Sequence, residues 1–386
     1  MSTPLPTTLR ILKAITEVPR AAWDALVDDA AAPFLEWAFL AALEQSGSAA
    51  PERGWHPRHL TVWRGSRLVA AAPAYLKDDS QGEFVFDGPW ATAAERAGLD
   101  YYPKLVLAVP FTPATGRRVL VAPGEDRASR EAELYGAALE YARAERFSGV
   151  HVLFHTPEEA PTLEAQGYAL RIGVQYQWRN RDYRSFDDFL ARFHSKRRNQ
   201  VRREVRAPAA QGITLRTLRG DALDTLDVDT VWRLYVSTVD RYPWGVRYLT
   251  PDFFARLLRD LRHRCEFVEA RRDGNRVAGA FNLIGPRALF GRYWGCFEEH
   301  PFLHFNVCLY HPVEDAIARG LERFEPGAGG EHKLTRGFEP QLTYSAHLLL
   351  HPGLDRAVRG LLAHERAAVQ GGLPQWWAET GFKERA

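Results

Sequence analysis

Residues 327–347 read GAGGEHKLTRGFEPQLTYSAH, and in them Glu331, His332, Lys333 and Arg336 stand among four glycines, Gly327, Gly329, Gly330 and Gly337. A carboxylate, an imidazole, an ammonium and a guanidinium this close together can grip an anion, move a proton and stabilise developing negative charge. Glycine admits φ > 0 and lets backbone approach a ligand closely. The competing reading is a solvated loop capped by charges. The stretch follows a strand expected at LERFEPG, so Lys333 is expected at the start of a short helix after that strand.

The elements that position these residues are written twice in the chain. HLTVWRGSRLVAAAPAYLK (59–77) and EFVEARRDGNRVAGAFNLIG (266–285) both read strand, tight turn, strand. VHVLFHTPEEAPTLEAQGYALRIGVQYQWR (150–179) and FEPGAGGEHKLTRGFEPQLTYSAHLLL (324–350) both read strand, short helix, Gly-aromatic, strand. The first copy has Pro157-Glu158-Glu159 where the second has the charged group, so the expectation is one scaffold copy and one working copy. This predicts an α/β (α+β) protein of two tandem domains, 1–180 and 181–386, with mixed sheets flanked by helices and the site in the second.

Other candidates lie outside that stretch. Arg292 and Tyr293 fall on a central strand of the second copy, and His304 and Asn306 open the next helix. Trp244 belongs to an aromatic loop, Tyr242–Gly245. His300 and His304 are four apart, but Pro301 spoils the helical geometry and no third ligand is evident, so no metal is expected. Residues 78–104 interrupt the first copy with an insertion rich in aromatics and acids; Asp87, Tyr101, Tyr102 and Lys104 are its candidates for substrate contact, the alternative being that the tyrosines simply pack.

Between the copies, Arg192, Lys196, Arg197, Arg198, Arg202, Arg203 and Arg206 crowd fifteen residues against one acid, Glu204. Arg198, Arg202 and Arg206 are spaced i, i+4, i+8 and share a helix face. Ser195 is placed to cap the helix, whose free N–H groups would welcome an anion. A charge run is usually a solvated face. If it is functional, phosphate or RNA backbone is the partner, with Lys196, Arg197, Arg198 and Arg202 as contacts.

Composition bounds these readings. The chain has 386 residues, 46% of them apolar and 12% aromatic, which supports real cores and excludes global disorder. A net charge of +2 argues against a dedicated nucleic-acid coat but permits a local basic patch. Three cysteines without CxxC spacing suit a reducing compartment. With no apolar run of membrane-spanning length and no secretion signal, a soluble cytoplasmic protein is expected.

SKRRNQVRRE (195–204), GRYWGC (291–296), PFLHFNVCLY (301–310) and GEHKLTRGFEP (330–340) together resemble the FemAB-like family, and the likeness runs from about residue 33 to residue 370. The resemblance implies tandem acetyltransferase-like (GNAT) domains and N-acyltransferase activity, linked to peptidoglycan biosynthesis. Better-studied relatives take an aminoacyl group from a charged tRNA and place it on the amine of a peptidoglycan precursor. In them a lysine in a Lys-x-x-Phe-Gly-like segment lies at the reaction centre, which carries over to Lys333 in Lys-Leu-Thr-Arg-Gly-Phe. Glu331-His332 before it departs from the relatives' pattern. On this reading Lys333 stabilises the oxyanion and His332 relays the amine proton, or merely orients Glu331; Arg336 and Arg292 hold phosphate or carboxylate.

Three functions stay open: a charged-tRNA-dependent aminoacyltransferase, an acyl-CoA N-acyltransferase, and a non-enzymatic module binding a cell-wall or nucleotide ligand. No tightly bound cofactor is expected; aminoacyl-tRNA or acyl-CoA would be co-substrate, with a small-molecule or peptide amine as acceptor. The CoA reading expects a Gln/Arg-x-x-Gly-x-Gly/Ala loop whose amides grip pyrophosphate, and neither copy has one: the second reads CFEEHPFLHFNV, the first PFTPATGRR.

Overall fold

The computed structural model describes residues 6–28, 32–243 and 245–383. It divides into two compact units, one of residues 1–173 with 342–370, the other of 174–341 with 371–386. The units are therefore not the contiguous halves 1–180 and 181–386. The reason lies in two eleven-residue strands, Ala169–Arg179 and Glu339–Leu349, within which the division falls.

The first unit holds two sheets. One has strands Thr7–Leu12, His59–Arg64, Arg67–Ala72 and Leu120–Val121 in that order. The other runs Trp55–Pro57, Ala74–Lys77, Lys104–Leu107 and Gly149–His155, closed by residues 344–349. Lys104–Leu107 and Gly149–His155 are parallel, and residues 344–349 return antiparallel along Gly149–His155. Helix Arg127–Ala144 covers this core because Leu134, Tyr135, Ala138, Leu139 and Ala142 fall on one face. Asp126 caps it by accepting from the Ser129 amide at 2.8 Å.

The second unit repeats the order. Strands Ile213–Leu218, Cys265–Arg272, Asn275–Ile284 and Ala288–Cys296 are antiparallel neighbours. Arg323–Glu325 lies parallel to Ala288–Cys296, and Trp178 and Arg179 pair antiparallel with Phe324 and Arg323. In each unit the strand that closes the sheet thus comes from the other sequence repeat. Helices Val228–Val239 and Pro251–Asp260 supply Tyr235, Phe253 and Phe254, whose rings surround Tyr293 at 5.4–6.4 Å. Gly295 makes this packing possible, since a Cβ there would stand 1.9 Å from the Leu234 carbonyl oxygen. Among the described residues no helix is long and apolar enough to cross a membrane.

Candidate functional site

The site forms where two parallel strands of the second unit part. Ala288–Cys296 and Arg323–Glu325 pair only from Ala288 to Phe290, so among the described residues Gly291–Cys296 has a neighbouring strand on one side alone. A bulge falls at this point, because Tyr293 faces Phe281 and Gly291 faces Asn282, which leaves Arg292 outside the ladder. Beyond Glu325 the chain turns through Gly327–Gly330 into the short helical turn Glu331–Arg336, as expected for Lys333. Gly330 takes φ 81°, and a Cβ on it would lie 2.8 Å from the His332 ring; only glycine lets the loop fold back this closely.

Lys333 and His332 face opposite surroundings. The Lys333 side chain is buried, and its Nζ donates to the carbonyl oxygens of Gly327 (2.8 Å) and Ala328 (3.4 Å). Burial pulls this ammonium down to about 8. His332 is exposed, with its ring 5.8 Å from His304 and 5.4 Å from Phe305. Desolvation, with the charges of Lys333 and Arg336, lowers the His332 pKa. The same causes, with His332 itself, bring His304 down to about 4. Both imidazoles are therefore neutral near pH 7 and can accept a proton.

Arg336 is not available as a phosphate clamp, because a carboxylate already fills its fork. Its Nε and Nη2 donate to Glu204 at 3.0 and 3.2 Å, and its Nη1 donates to the His332 carbonyl at 2.8 Å. The guanidinium lies 3.4 Å over the Phe305 ring. Glu204 also accepts from the Tyr310 hydroxyl at 2.6 Å and from Gln200 at 2.9 Å. Asn306 donates to the Glu204 backbone carbonyl at 2.9 Å, so it braces the helix instead of facing solvent. Asn306–Tyr310 is a π-helical turn, a local widening often found beside functional sites.

His304 also lines a cavity of about 330 Å³ with Thr238, Arg241, Tyr242, Trp294, Cys296, Glu298, Glu299, His300 and Leu303. Trp294 stacks at an angle on His304, ring centres 5.0 Å apart. Of the strand residues singled out, Tyr293 is thus packed among aromatics, and Arg292 sits at the bulge with its guanidinium 5.3 Å from the Tyr293 ring. Glu331 is exposed. Trp244 lies outside the described residues.

The basic segment is the helix Ser195–Ala210. Its N-cap is His194 and not Ser195, which is the first helical residue and makes no side-chain cap. Lys196, Arg202, Arg203 and Arg206 are exposed, while Arg197 and Arg198 are half-buried. Val201, Glu204 and Pro208 form the buried face. Arg202 pairs with Asp187 at 3.3 Å, and Arg197 donates to Gln200 at 2.9 Å.

Asp87, Tyr102 and Lys104 belong to the first unit and form a cluster of their own. Lys104 is fully buried and donates to Ser80 (2.8 Å), to Glu83 (2.9 Å) and to Asp87. Tyr101 donates to Asp87 at 2.7 Å, and the Tyr102 hydroxyl meets Ser80 at 2.8 Å. The insertion thus brings two acids onto the buried lysine. Burial pushes Glu83 up to about 7. Tyr101 and Tyr102 line an open cavity of about 650 Å³ in this unit.

Sequence reasoning passed over Glu204 and Tyr310 as site residues, and placed Trp294 on the central strand without giving it a role. The available signal for Glu204 was that it is the lone acid in a run of seven cations.

No curated protein matches the chain. In fold it is similar to FemX, at 13% identity and TM-score 0.51, with 82% of this chain and 93% of that chain covered. It is also similar to the C-terminal domain of a putative lysylphosphatidylglycerol synthetase from Agrobacterium fabrum, at 12% identity and TM-score 0.52, with 89% and 95% covered. The fold is that of two α/β units with mixed sheets flanked by helices. The family model described as FemAB-like, peptidoglycan biosynthesis/recognition, matches residues 14–384, and the chain belongs to that family.

Proposed function

We propose that the chain is an N-acyltransferase that makes an amide from an activated aminoacyl ester, with charged tRNA as donor and a small-molecule or peptide amine as acceptor, in the cytoplasm. The observation that carries this reading is the buried Lys333 ammonium at the mouth of the parted strands, beside two neutral imidazoles. The acceptor nitrogen attacks the ester carbonyl, the C–N bond forms and the C–O bond breaks. Two of the three Lys333 N–H donors are directed at Gly327 and Ala328, which fixes the third for the oxyanion. Neutral His332 takes the proton from the amine and returns it to the leaving ribose oxygen. Exposed arginines on helix Ser195–Ala210 meet the donor's phosphates.

An acyl-CoA donor is the second reading, in keeping with the acetyltransferase-like domains that the sequence resemblance implies. Against it, the segment between Cys296 and Leu303 contains no glycine to bring amides onto a pyrophosphate. Native-gel retention of charged tRNA, set beside calorimetry with acetyl-CoA, separates the two. Retention of tRNA with no acetyl-CoA heat is expected; micromolar acetyl-CoA affinity without tRNA retention reverses the order.

Lys333→Met is expected to cut turnover by roughly a hundredfold to a thousandfold, the usual cost of losing one oxyanion donor, with an unchanged melting temperature. The wild-type rate is expected to fall as pH rises through about 8, where the ammonium loses its proton. Wild-type turnover in the Met variant removes Lys333 from the mechanism.

A further inference from the structure

We infer that Glu204 is a positioning residue for the turn that carries His332 and Lys333, and that through it the basic helix and that turn are held as one piece. The inference rests on reading this turn as the reacting site. A run of hydrogen bonds joins the two elements without a gap. Arg197 donates to Gln200 at 2.9 Å, Gln200 to Glu204 at 2.9 Å, Arg336 to both Glu204 oxygens at 3.0 and 3.2 Å, and Arg336 to the His332 carbonyl at 2.8 Å. Tyr310 and Asn306 tie the π-helical turn to the same residue. Glu204 is 1% exposed and Arg336 7% exposed, so each charge relies on the other for compensation.

The helix therefore has two faces with separate tasks. Arg202, Arg203 and Arg206 point to solvent, and Glu204 on the buried face holds the guanidinium from which the His332 backbone hangs. A generic structural acid would only need to fill space and satisfy donors. A positioning acid must also set the local field, because Arg336 is one of the charges acting on His332. The other groups facing that ring are Lys333 on its own turn, and His304 and Phe305 on the helix packed against it.

The test is a nuclear magnetic resonance titration of the His332 ring in the full chain, with the signal assigned by its loss in His332→Asn. In Glu204→Gln the guanidinium loses its counter-charge, so the His332 midpoint is expected to fall by at least half a pH unit. In Arg336→Met the carboxylate is left alone and the midpoint is expected to rise. A turn that is merely loosened would drift toward the free-imidazole value of about 6.5, upward in both variants, so a rise or no change in folded Glu204→Gln overturns the inference. Should that variant fail to fold, Glu204→Asp keeps the charge but shortens its reach. Hydrogen exchange at the Gly337 and Phe338 amides, which close the turn onto Leu334 and Lys333, is then expected to quicken at least tenfold, with helix Arg127–Ala144 as internal control. Unchanged exchange at those two amides also overturns it. None of these readings needs turnover, so a result with Lys333→Met that removes the reacting role leaves the positioning result standing on its own.

Discussion

Lys333 and His332 are adjacent in sequence and opposite in environment, and the proposed chemistry uses that difference: the cation is kept from water, and the base is left where protons can leave. The first unit offers a sharper thermodynamic handle in Glu83. Its folded pKa is raised from 4.5 to about 7, so between those values the folded chain keeps a proton that the unfolded chain releases. Its contribution to stability is therefore present below about 4.5 and lost as pH rises to about 7. Glu83→Gln removes that loss, so the variant's melting temperature relative to wild type is expected to climb between pH 5 and 7.5; a pH-independent difference refutes the assignment. Single residues were unevenly legible. Lys333 could be picked out as a candidate because charged residues and glycines flank it in sequence. Glu204 could not, since its partner Arg336 is 132 positions away and a lone acid names no partner. Asp87 and Lys104 were offered for substrate contact from an insertion rich in acids, and in the fold their charges answer each other inside a core.

Among elements, the helix Ser195–Ala210 was readable in its charged face, because arginines four apart declare a face whatever they bind. Its inner face was legible in the valines of an apolar stripe but not in Glu204 and Pro208, which are buried beside Val201. If the exposed side meets tRNA, replacing Arg202, Arg203 and Arg206 with alanine is expected to reduce the slope of log affinity against log salt by roughly 0.7–0.9 for each lost phosphate contact. Filter binding across a salt series measures it, and an unchanged slope makes the arginines a solvated surface. The repeated strand pairs were legible for a related reason: a tight turn between two apolar runs specifies its own hairpin. The parting of strands at Phe290 was hidden, being a matter of where pairing stops and not of which residues pair.

At the scale of the whole molecule, the doubled order of elements was written in the sequence, but the composition of each unit was not. Sequence proximity favours contiguous halves, whereas the first unit's sheet is completed by residues 344–349. A chain ending at residue 180 lacks that strand, and Gly149–His155 would present an open, fully buried-type edge. Such a fragment is expected to aggregate or to lack cooperative melting, while the intact chain melts cooperatively; a soluble, cooperatively folded 1–180 fragment would count against the exchange. The same feature sets a clock during synthesis. Gly149 is made 200 residues before Leu349, the residue it pairs with. At ordinary elongation speeds of 5–20 residues per second, that edge waits roughly 10 to 40 seconds for its partner strand. For that interval the edge is open to pairing with another chain.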